Sequence, residues 1–364
     1  MRKSFDEVFE DVTKFGTKIK TDEYHLSGKY QIIDQGQNAI AGYTDLENGL
    51  FDSVPAIIFG DHTRIIKYVD NPFFLGADGT KILRSRYEDA NYRYLYYALR
   101  HVKIQNTGYN RHFKWLKEAK INYPNEKRQS EIVMILDDIS KIMKYRQQQI
   151  QNMDELVKAR FVEMFGNENN SKRWHIVNIE DVADIQVGVV IKPSQYYTSE
   201  DNGVKAFRSL NVGAGYIKNS DWVYFTEEGH QKNKKSILKE NDLLIVRSGA
   251  PGTACVVTKE YEGCNAVDII IAHPDCEKVN PYYLCEYTNM PHGKRQIDEG
   301  TGGAAQQHFN VGKYNKMQLM LPPVILQNEF ATFVNQVDKL KVEVQKALDE
   351  TQLLFDSLMQ EYFG

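Results

Sequence analysis

A short sequence occurs twice in this chain, as VEMFG at residues 162–166 and as QEYFG at residues 360–364. The likeness extends backwards from both, because residues 123–166 align with residues 321–364 without a gap. Identical residues stand at matching places in the two copies, among them Gln129 with Gln327, Lys141 with Lys339 and Leu156 with Leu354. The chain therefore contains an internal repeat, and this repeat is the first guide to its fold.

Both copies carry an apolar pattern that is typical of a helix. The first copy has Ile132, Ile135, Ile139 and Ile142, and the second has Phe330, Phe333, Val337 and Leu340 in the same places. This spacing marks one helical face, and it continues through Arg146, Gln149, Met153 and Leu156 and through Val344, Ala347, Thr351 and Leu354. We predict two helices of about 40 residues, each roughly 60 Å long, that pack on each other along an apolar seam with a polar centre. The alternative is two unrelated amphipathic helices in separate cores.

Length and composition are those of a globular protein. The mass of 42.1 kDa is enough for two domains with their own cores. No apolar stretch is long enough to span a membrane and no signal peptide is recognisable, so we expect a cytoplasmic protein. The cysteines form no C-x-x-C pair, which favours reduced thiols over a zinc site. The net charge of −4 neither supports nor excludes a nucleic-acid partner, because a basic face can lie on an acidic protein.

The repeat extends into the sequence before each long helix. Short strand-like runs stand at residues 30–33 and 56–59 in the first half and at residues 243–246 and 268–272 in the second. Asn91 and Asn280 each open a short helical pattern, and the polar stretch GNENNSKR (166–173) forms a boundary. We therefore divide the chain into a first globular domain (1–122), a first long helix (123–166), a second globular domain (167–320) and a second long helix (321–364).

Five segments resemble the specificity subunits of type I restriction–modification enzymes. They are IIDQGQNAIAGY (32–43), NYPNEKRQSEI (122–132), KARFVEMFG (158–166), LLIVRSGAPG (243–252) and MLPPVILQNEF (320–330). The resemblance covers essentially the whole chain. It implies a mixed α/β (α+β) fold with two target recognition domains in a pseudo-two-fold tandem repeat, separated by two long antiparallel coiled-coil helices. The chain departs from the family pattern in that Trp174, which opens the second domain, has no counterpart in the first.

The resemblance also implies function and partners. The chain would be non-catalytic, would read one half of a bipartite DNA target with each recognition domain, and would bind no cofactor itself. Its partners would be double-stranded DNA, two modification (methyltransferase) subunits and restriction (endonuclease and translocase) subunits. S-adenosylmethionine, ATP and Mg²⁺ would bind to those partner subunits.

The strongest local indication of DNA binding is KIQNTGYNRHFKWLKEAK, residues 103–120. Cations suit phosphates, whereas amide and planar side chains suit base edges, although such a segment could equally be the solvated face of a surface helix. The corresponding residues 300–313 are rich in Gly and Gln, and Arg247 follows an apolar strand, where loops carry function. The predicted DNA-contacting residues are Gln35, Gln37, His62, Arg64, Tyr109, Asn110, Arg111, His112 and Lys114 in the first domain, and Arg208, Lys234, Arg247, Ser248, Gln306, Gln307 and His308 in the second.

Three segments resemble catalytic motifs but lack essential parts. Residues 71–74 (NPFF) lack the second Pro of the adenine-methyltransferase motif, the glycines at 300–303 follow no apolar strand, and Asp275 has no acid-x-Lys partner. The sequence thus favours a DNA-recognition and scaffold subunit without catalytic residues. Two alternatives stay open: a self-contained DNA-modifying enzyme whose motifs have drifted, and a coiled-coil assembly protein without a nucleic-acid role.

Overall fold

The computed structural model describes residues 1–76, 78–108, 110–301 and 309–364. The chain forms two compact units: residues 1–147 with 346–364, and residues 148–345. Each unit combines a β-rich region with part of each long helix. This division cuts both helices, so it differs from the four segments drawn from the sequence.

The first unit builds its β-rich region from three sheets. Its strands are β1 (Arg2–Ser4), β2 (Phe9–Asp11), β3 (Tyr30–Ile33), β4 (Gly42–Thr44), β5 (Ala56–Gly60), β6 (Ile66–Val69), β7 (Phe73–Leu75), β8 (Thr80–Ser85) and β9 (Lys120–Asn122). The sheet orders are β2-β8-β5-β6, β4-β3-β7 and β1-β9. β3 pairs with β7 in parallel. The apolar run of β5 is buried along its whole length, as expected for a central strand.

Short helices cover this region. They are α1 (Phe5–Val8), α2 (Tyr92–His101) and α3 (Phe113–Leu116), and the long helix α4 (Glu126–Phe165) follows. Asn91 caps α2, because its side-chain oxygen accepts a hydrogen bond from Tyr94 N at 3.0 Å. Of the basic segment 103–120, only α3 is helical among the described residues, so the segment is largely loop.

The second unit repeats this topology with one strand added. Its strands are β10 (His175–Asn178), β11 (Ala183–Val187), β12 (Tyr197–Thr198), β13 (Val204–Phe207), β14 (Val223–Phe225), β15 (Leu243–Val246), β16 (Ala254–Val256), β17 (Asn265–Ala266), β18 (Ile269–Pro274) and β19 (Gln318–Leu321). The orders β11-β18-β15-β16 and β10-β19 correspond to β2-β8-β5-β6 and β1-β9 of the first unit. The sheet β12-β14-β13-β17 corresponds to β4-β3-β7 with the strand β12 added at its edge, and β13 pairs with β17 in parallel. Its helices are α5 (Glu227–Lys232), α6 (Pro281–Asn289), α7 (Pro291–Thr301) and α8 (Val311–Asn315), followed by the long helix α9 (Val324–Phe363).

The long helices pack antiparallel within each unit. In the first unit the Arg128 guanidinium lies 5.4 Å from the Tyr362 ring, and Arg146 donates hydrogen bonds to Ala347 O and Thr351 Oγ1. At the predicted polar centre of the first copy, the two helices are therefore joined by two hydrogen bonds from the half-buried Arg146 rather than by apolar contact.

The second unit shows the same direction of packing. Lys341 Nζ lies 2.5 Å from Asp154 Oδ1, and the rings of Phe165 and Phe330 are 5.4 Å apart. Phe165 is fully buried, and Gly166 follows it with a φ of 89°. This left-handed conformation suits glycine and lets the chain leave the helix.

The prediction of which side chains form the buried face of α4 is correct for only two of the four isoleucines. Ile132 and Ile139 are buried as expected, but Ile135 and Ile142 are exposed. The seam instead continues through residues at the i+4 positions, namely Leu136, Met143, Ile150 and Val157, which are buried or half-buried. Both the i+3 and the i+4 positions hold apolar side chains here, so the pattern alone could not choose between them.

Candidate nucleic-acid interface

Several strands of the first unit end at one edge, and the loops that follow them meet there. β3 and β7 are parallel, and Gly60 at the end of β5 lies opposite Thr80 at the start of β8. Backbone hydrogen bonds join the loops, such as Asp61 N to Gly79 O at 2.6 Å. We name the surface formed by residues 12–18, 34–38, 60–64, 78–79 and 110–112 the first loop edge. Loops held by rigid strands are where binding residues concentrate.

Gln35 ties three of these loops together. Its Nε2 donates to Asp78 O at 2.8 Å, and its Oε1 accepts a hydrogen bond from His62 N at 3.1 Å. Its backbone oxygen accepts a hydrogen bond from Thr63 Oγ1 at 2.7 Å. Each end of its amide makes one hydrogen bond within the protein, so Gln35 positions the loops, and its predicted contact with DNA stays a prediction.

His112 is fully buried. Its ring Nδ1 lies 2.9 Å from Asp61 O, and its backbone N donates to the same oxygen at 2.8 Å. The Asp61 carboxylate in turn accepts a hydrogen bond from Phe113 N at 2.7 Å. A buried ring cannot reach a base, so the prediction of a DNA contact by His112 is wrong. The residue fixes the start of α3 against the first loop edge.

A buried lysine supports the loop at residues 34–38. Lys67 Nζ donates to Asn38 O at 2.6 Å and lies 3.3 Å from Asp34 Oδ1. Burial lowers the pKa of Lys67, while the Asp34 carboxylate opposes that effect. Because the Lys67 ammonium group donates to a backbone carbonyl of the loop, it holds the loop in position rather than offering its charge to a ligand.

The remaining described candidates of the first domain are more accessible. Gln37, Asn110, Arg111 and Lys114 are exposed. The half-buried His62 has its Nδ1 3.2 Å from Asn110 O. Arg64 is also half-buried; it donates to Ile104 O at 3.3 Å and lines a groove of about 430 Å³. The structure thus brings most of these candidates to one edge.

Cations lie beside the exposed candidates, together with acidic residues. Lys18, which the sequence did not indicate, forms a 2.6 Å ion pair with Asp78. This hydrogen-bonded lysine lowers the pKa of Asp78, and the nearby charge of Arg111 acts in the same direction. The first loop edge therefore presents cations and amides together, which is the combination that phosphates and base edges require.

The second unit has a corresponding edge. β13 and β17 are parallel, and Val246 at the end of β15 lies opposite Ile269 at the start of β18. Val267 N donates to Phe207 O at 2.8 Å, which joins two of the loops. We name the surface formed by residues 188–192, 208–211, 247–253, 267–268 and 309–310 the second loop edge.

Arg247 lies in the middle of the second loop edge, and its side chain is only 16% exposed. Its Nη1 pairs with the Asp268 carboxylate, and its Nε donates to Phe309 O at 3.4 Å. Its backbone oxygen accepts a hydrogen bond from Phe309 N at 3.0 Å. The guanidinium is thus engaged within the protein at Nε and Nη1, and the predicted contact of Arg247 with DNA stays a prediction. Arg247 holds loops together as Gln35 does in the first unit.

The other candidates of the second domain are dispersed. Arg208 is half-buried and donates to Asp221 O, and Ser248 is half-buried beside Arg247. Lys234 is exposed in a separate segment, two residues before Ser236, which bonds Asn265 at the start of β17. Tyr109, Gln306, Gln307 and His308 lie outside the described residues.

Metal-ligating side chains are not grouped in the described part of the chain. No cluster of three or more His, Cys, Asp or Glu residues that could hold a metal ion occurs there. The four cysteines are free thiols, and burial raises the pKa of Cys255 to about 12. None of the helices in the described ranges has the length and apolar character needed to cross a membrane.

A family comparison matches this repeated architecture. The model of the type I restriction modification DNA specificity domain matches residues 2–152 and 171–351. The two matches fall one on each repeat and together span most of the chain. The chain belongs to this family. Both the family resemblance and the mixed α/β fold class predicted from the sequence are confirmed.

Two curated relatives match part of the chain. It is 27% identical to the type I restriction enzyme MjaVIII specificity subunit of Methanocaldococcus jannaschii, over 36% of this chain and 33% of that protein. It is 30% identical to the type I restriction enzyme EcoR124I/EcoR124II specificity subunit of Escherichia coli, over 35% of each chain. These matches span about a third of the length of the curated relatives.

Two solved structures share the fold over nearly the full length. The crystal structure of the S subunit of a type I restriction–modification system from M. genitalium has a TM-score of 0.59 and 16% identity, covering 100% of this chain and 96% of that one. A structure from work on complex assembly and conformational transition of the type I system has a TM-score of 0.54 and 15% identity, covering 99% and 95%. Identities this low show the fold alone.

Proposed function

We propose that the chain is the DNA specificity subunit of a type I restriction–modification enzyme. It recognises a bipartite target, with one half-site read by residues 1–122 and the other by residues 167–320. The observation that carries the proposal is the loop edge, which recurs at the same place of the same topology in both units. The family description, a DNA specificity domain, supports the same task.

In this proposal the contacts divide by chemistry. The exposed Arg111 and Lys114 neutralise phosphates, and the exposed amides of Gln37 and Asn110 suit base edges. In this proposal Gln35, His112 and Arg247 do not contact the DNA. They hold in place the loops that carry the contacting residues. Tyr109, Gln306, Gln307 and His308 stay predicted contacts on the strength of their residue types and positions.

We further propose that modification subunits dock on the long helices. Several large apolar side chains of these helices are exposed: Met134, Ile135, Ile142, Tyr145, Leu353 and Leu354 in the first unit, and Leu156, Val162, Ile325, Leu340 and Val342 in the second. Such side chains supply the apolar contacts that a protein partner would cover. Since each unit carries such a surface, we propose two modification subunits per chain, with restriction subunits joining the complex.

Catalysis in this proposal belongs to the partners. They bind S-adenosylmethionine, ATP and Mg²⁺, and they methylate or cut the DNA, while this chain selects the sequence. The complex acts in the cytoplasm, where it meets DNA. The drifted-enzyme alternative predicts instead that the isolated chain binds S-adenosylmethionine, which calorimetry would detect.

The proposal is tested by mapping methylated adenines in the host genome with the gene present and deleted. We expect one motif to lose methylation on deletion. This motif consists of two short specific base sequences, the two words of the target, separated by an unread gap, a fixed number of base pairs of any sequence. Restoring the gene should restore it. If no motif changed, or if the lost motif were one continuous word, the proposed function would be wrong.

A further inference from the structure

The loop between β5 and β6 holds an arginine in the left-handed backbone conformation. Arg64 has a φ of 63°, and its backbone N donates to Gly60 O, at the end of β5, at 2.7 Å. The corresponding residue of the second unit is Gly252, whose φ is 74° and whose backbone N donates to Val246 O, at the end of β15, at 2.9 Å. Glycine adopts this conformation without strain and arginine does not. A strained residue that is kept at a candidate site is a reason to look for its function.

In the second unit this place is covered by other side chains. A β-carbon at Gly252 would lie 2.2 Å from Ile297 Cδ1, because α7 packs there. Asn289 at the end of α6 closes the adjoining space. Its Oδ1 accepts a hydrogen bond from Ala254 N at 3.0 Å, and its Nδ2 donates to Ala254 O at 2.9 Å. Helix α6 is thus joined directly to β16.

In the first unit the same place is an open groove. Helices α2 and α6 correspond, since each begins after a capping asparagine, Asn91 and Asn280. Arg100 then stands as far along α2 as Asn289 stands along α6. The groove has a volume of about 430 Å³, and Arg64 and Arg100 line it together with Tyr96 and apolar side chains.

The two arginines of this groove keep their charges available. Arg93, on the same helix as Arg100, is neutralised by Asp137 Oδ1 at 2.9 Å. In the described part of the chain, neither Arg64 nor Arg100 has such a carboxylate partner. The guanidinium of the exposed Arg100 instead lies 5.5 Å from the Tyr96 ring and donates to Tyr96 Oη at 3.4 Å.

Few bonds hold the guanidinium of Arg64. Its Nη1 donates to Ile104 O at 3.3 Å. Its Nε is buried and has no hydrogen-bond acceptor among the described residues. A buried donor without an acceptor is unfavourable. By turning toward an anion, Arg64 would exchange one long bond for charge-assisted hydrogen bonds, which are stronger.

We infer that Arg64 and Arg100 together hold one phosphate of the DNA backbone beside the word read by residues 1–122. Guanidinium groups match the geometry of a phosphate, and the apolar part of the groove accommodates the adjoining deoxyribose. Arg64 belongs to the first loop edge, so a strand that lies on this edge reaches the groove. Gly252 and Asn289 cannot make this contact in the second unit. The inference rests on the proposed DNA-recognition function.

Each arginine also has an ordinary structural explanation. Arg100 stands in the last turn of α2, where a cation stabilises a helix, and Arg64 attaches its loop to Ile104. These roles alone would leave the salt dependence of DNA binding unchanged. The salt dependence therefore separates the two explanations.

The test uses the complex of the full chain with its modification subunits and duplexes that carry its methylated motif. Each neutralised phosphate contributes about −0.9 to the slope of log K against log salt. Arg64→Gly and Arg100→Gln should each make this slope shallower by about 0.9, and the double variant by no more, because the phosphate is shared. Discrimination between correct and altered words should stay as in the wild type. Glycine is chosen because it takes the left-handed conformation, as Gly252 does.

Uncharged methylphosphonate linkages, placed one at a time along both strands, locate the phosphate. One linkage in or directly beside the first word should weaken wild-type binding about fivefold at physiological salt, and the same linkage should have no effect in the double variant. Arg84→Gln is the matched control, because Arg84 is an exposed arginine near the end of β8 that is distant from the first loop edge. It should change neither the slope nor the response to the linkages.

Three outcomes would overturn the inference. If the wild-type complex prefers its motif but neither variant alters the slope, or if every linkage acts alike in the wild type and the double variant, the groove holds no phosphate and the proposed function survives. If Arg100→Gln releases a modification subunit and leaves the slope unchanged, the groove binds a protein partner instead. A wild-type complex without any preference for its motif would refute the proposed function itself.

Discussion

Arg247 and Asp268 meet at the centre of the second loop edge, and each is the charge partner of the other. If this pair organises the loops, Arg247→Ala and Asp268→Asn should each cost about 1–3 kcal/mol of discrimination at the same half-site, and the double variant should cost no more than the worse single one. Asparagine is chosen because Asp268 has a φ of 52°, a conformation that Asn tolerates.

Equilibrium binding to duplexes with single changes in either word measures both effects. An arginine that read a base directly would give a different pattern: Asp268→Asn would leave discrimination intact while Arg247→Ala removed it. An equal effect of Arg247→Ala on both words would mean that the residue supports general stability.

Glu286 on α6 provides a pH-dependent prediction. Burial, and then the neighbouring Asp338 carboxylate, raise its pKa to about 7, although Lys341 opposes this. The folded state therefore binds a proton more tightly than the unfolded state. This residue costs nothing below its ordinary pKa, destabilises the fold progressively between that pKa and about 7, and costs a constant amount above it. Glu286→Gln should raise the free energy of unfolding by about 1–3 kcal/mol at pH 8 and change it little near pH 4.

Urea unfolding of the wild type and the variant at the two pH values checks this prediction. Glu277→Gln is a suitable control, because Glu277 is exposed. A gain that is equal at both pH values would contradict the account, since it would not depend on ionisation.

At the residue scale the sequence predicted which loops lie together better than it predicted the hydrogen bonds within them. The fold brings to one edge several residues that the sequence predicted as DNA contacts, namely Gln35, Gln37, His62, Arg64, Asn110, Arg111 and His112. The sequence could not show that the amide of Gln35 and the ring of His112 would bond backbone atoms distant in sequence.

Among the elements, the long helices make the most direct prediction about partners. Ile135 and Ile142 lie seven residues apart on one exposed face of α4. Changing both to Asp should remove one of the two modification subunits, because a charged group on the docking surface opposes burial of that surface. Native mass spectrometry of the purified complex would show the loss. Lys144→Asp, at an exposed position of the same helix, should leave the mass unchanged.

A complex that retains both modification subunits after the double substitution would place the docking surface elsewhere. Circular dichroism must show the same helix content in both proteins, so that unfolding is excluded as the cause.

Element positions followed closely from the sequence, whereas the helix register did not. The run at residues 243–246 became β15 and that at 30–33 became β3, because short β-branched runs between turn residues have few alternatives. The residues with which α4 contacts its partner helix were predicted wrongly at every second seam position. Ile135 and Leu136, for example, are both apolar, and only packing selects between them. The polar Arg146 indicated where apolar contact stops, but not that it bonds Ala347 O.

At the scale of the whole molecule, the helices are proposed to set the unread gap of the target. Residues 141–147 and 346–352 face each other in the first unit, as the bonds of Arg146 to Ala347 and Thr351 show. Deleting both segments removes one heptad from each helix, about 10 Å or roughly three base pairs. We expect methylation mapping to show a shorter gap, or lost methylation, with both words unchanged. Changed words with an unchanged gap would refute this role.

The central claim is that each repeat reads its own word. The most direct test uses a variant in which a second copy of residues 167–364 replaces residues 1–166. Genomic methylation is mapped in cells that make this variant. The account predicts that one word of the motif disappears and that the other occurs twice, on either side of the gap, provided that the chain still purifies with its modification subunits. An unchanged motif, or a new word unrelated to either original, would contradict the account.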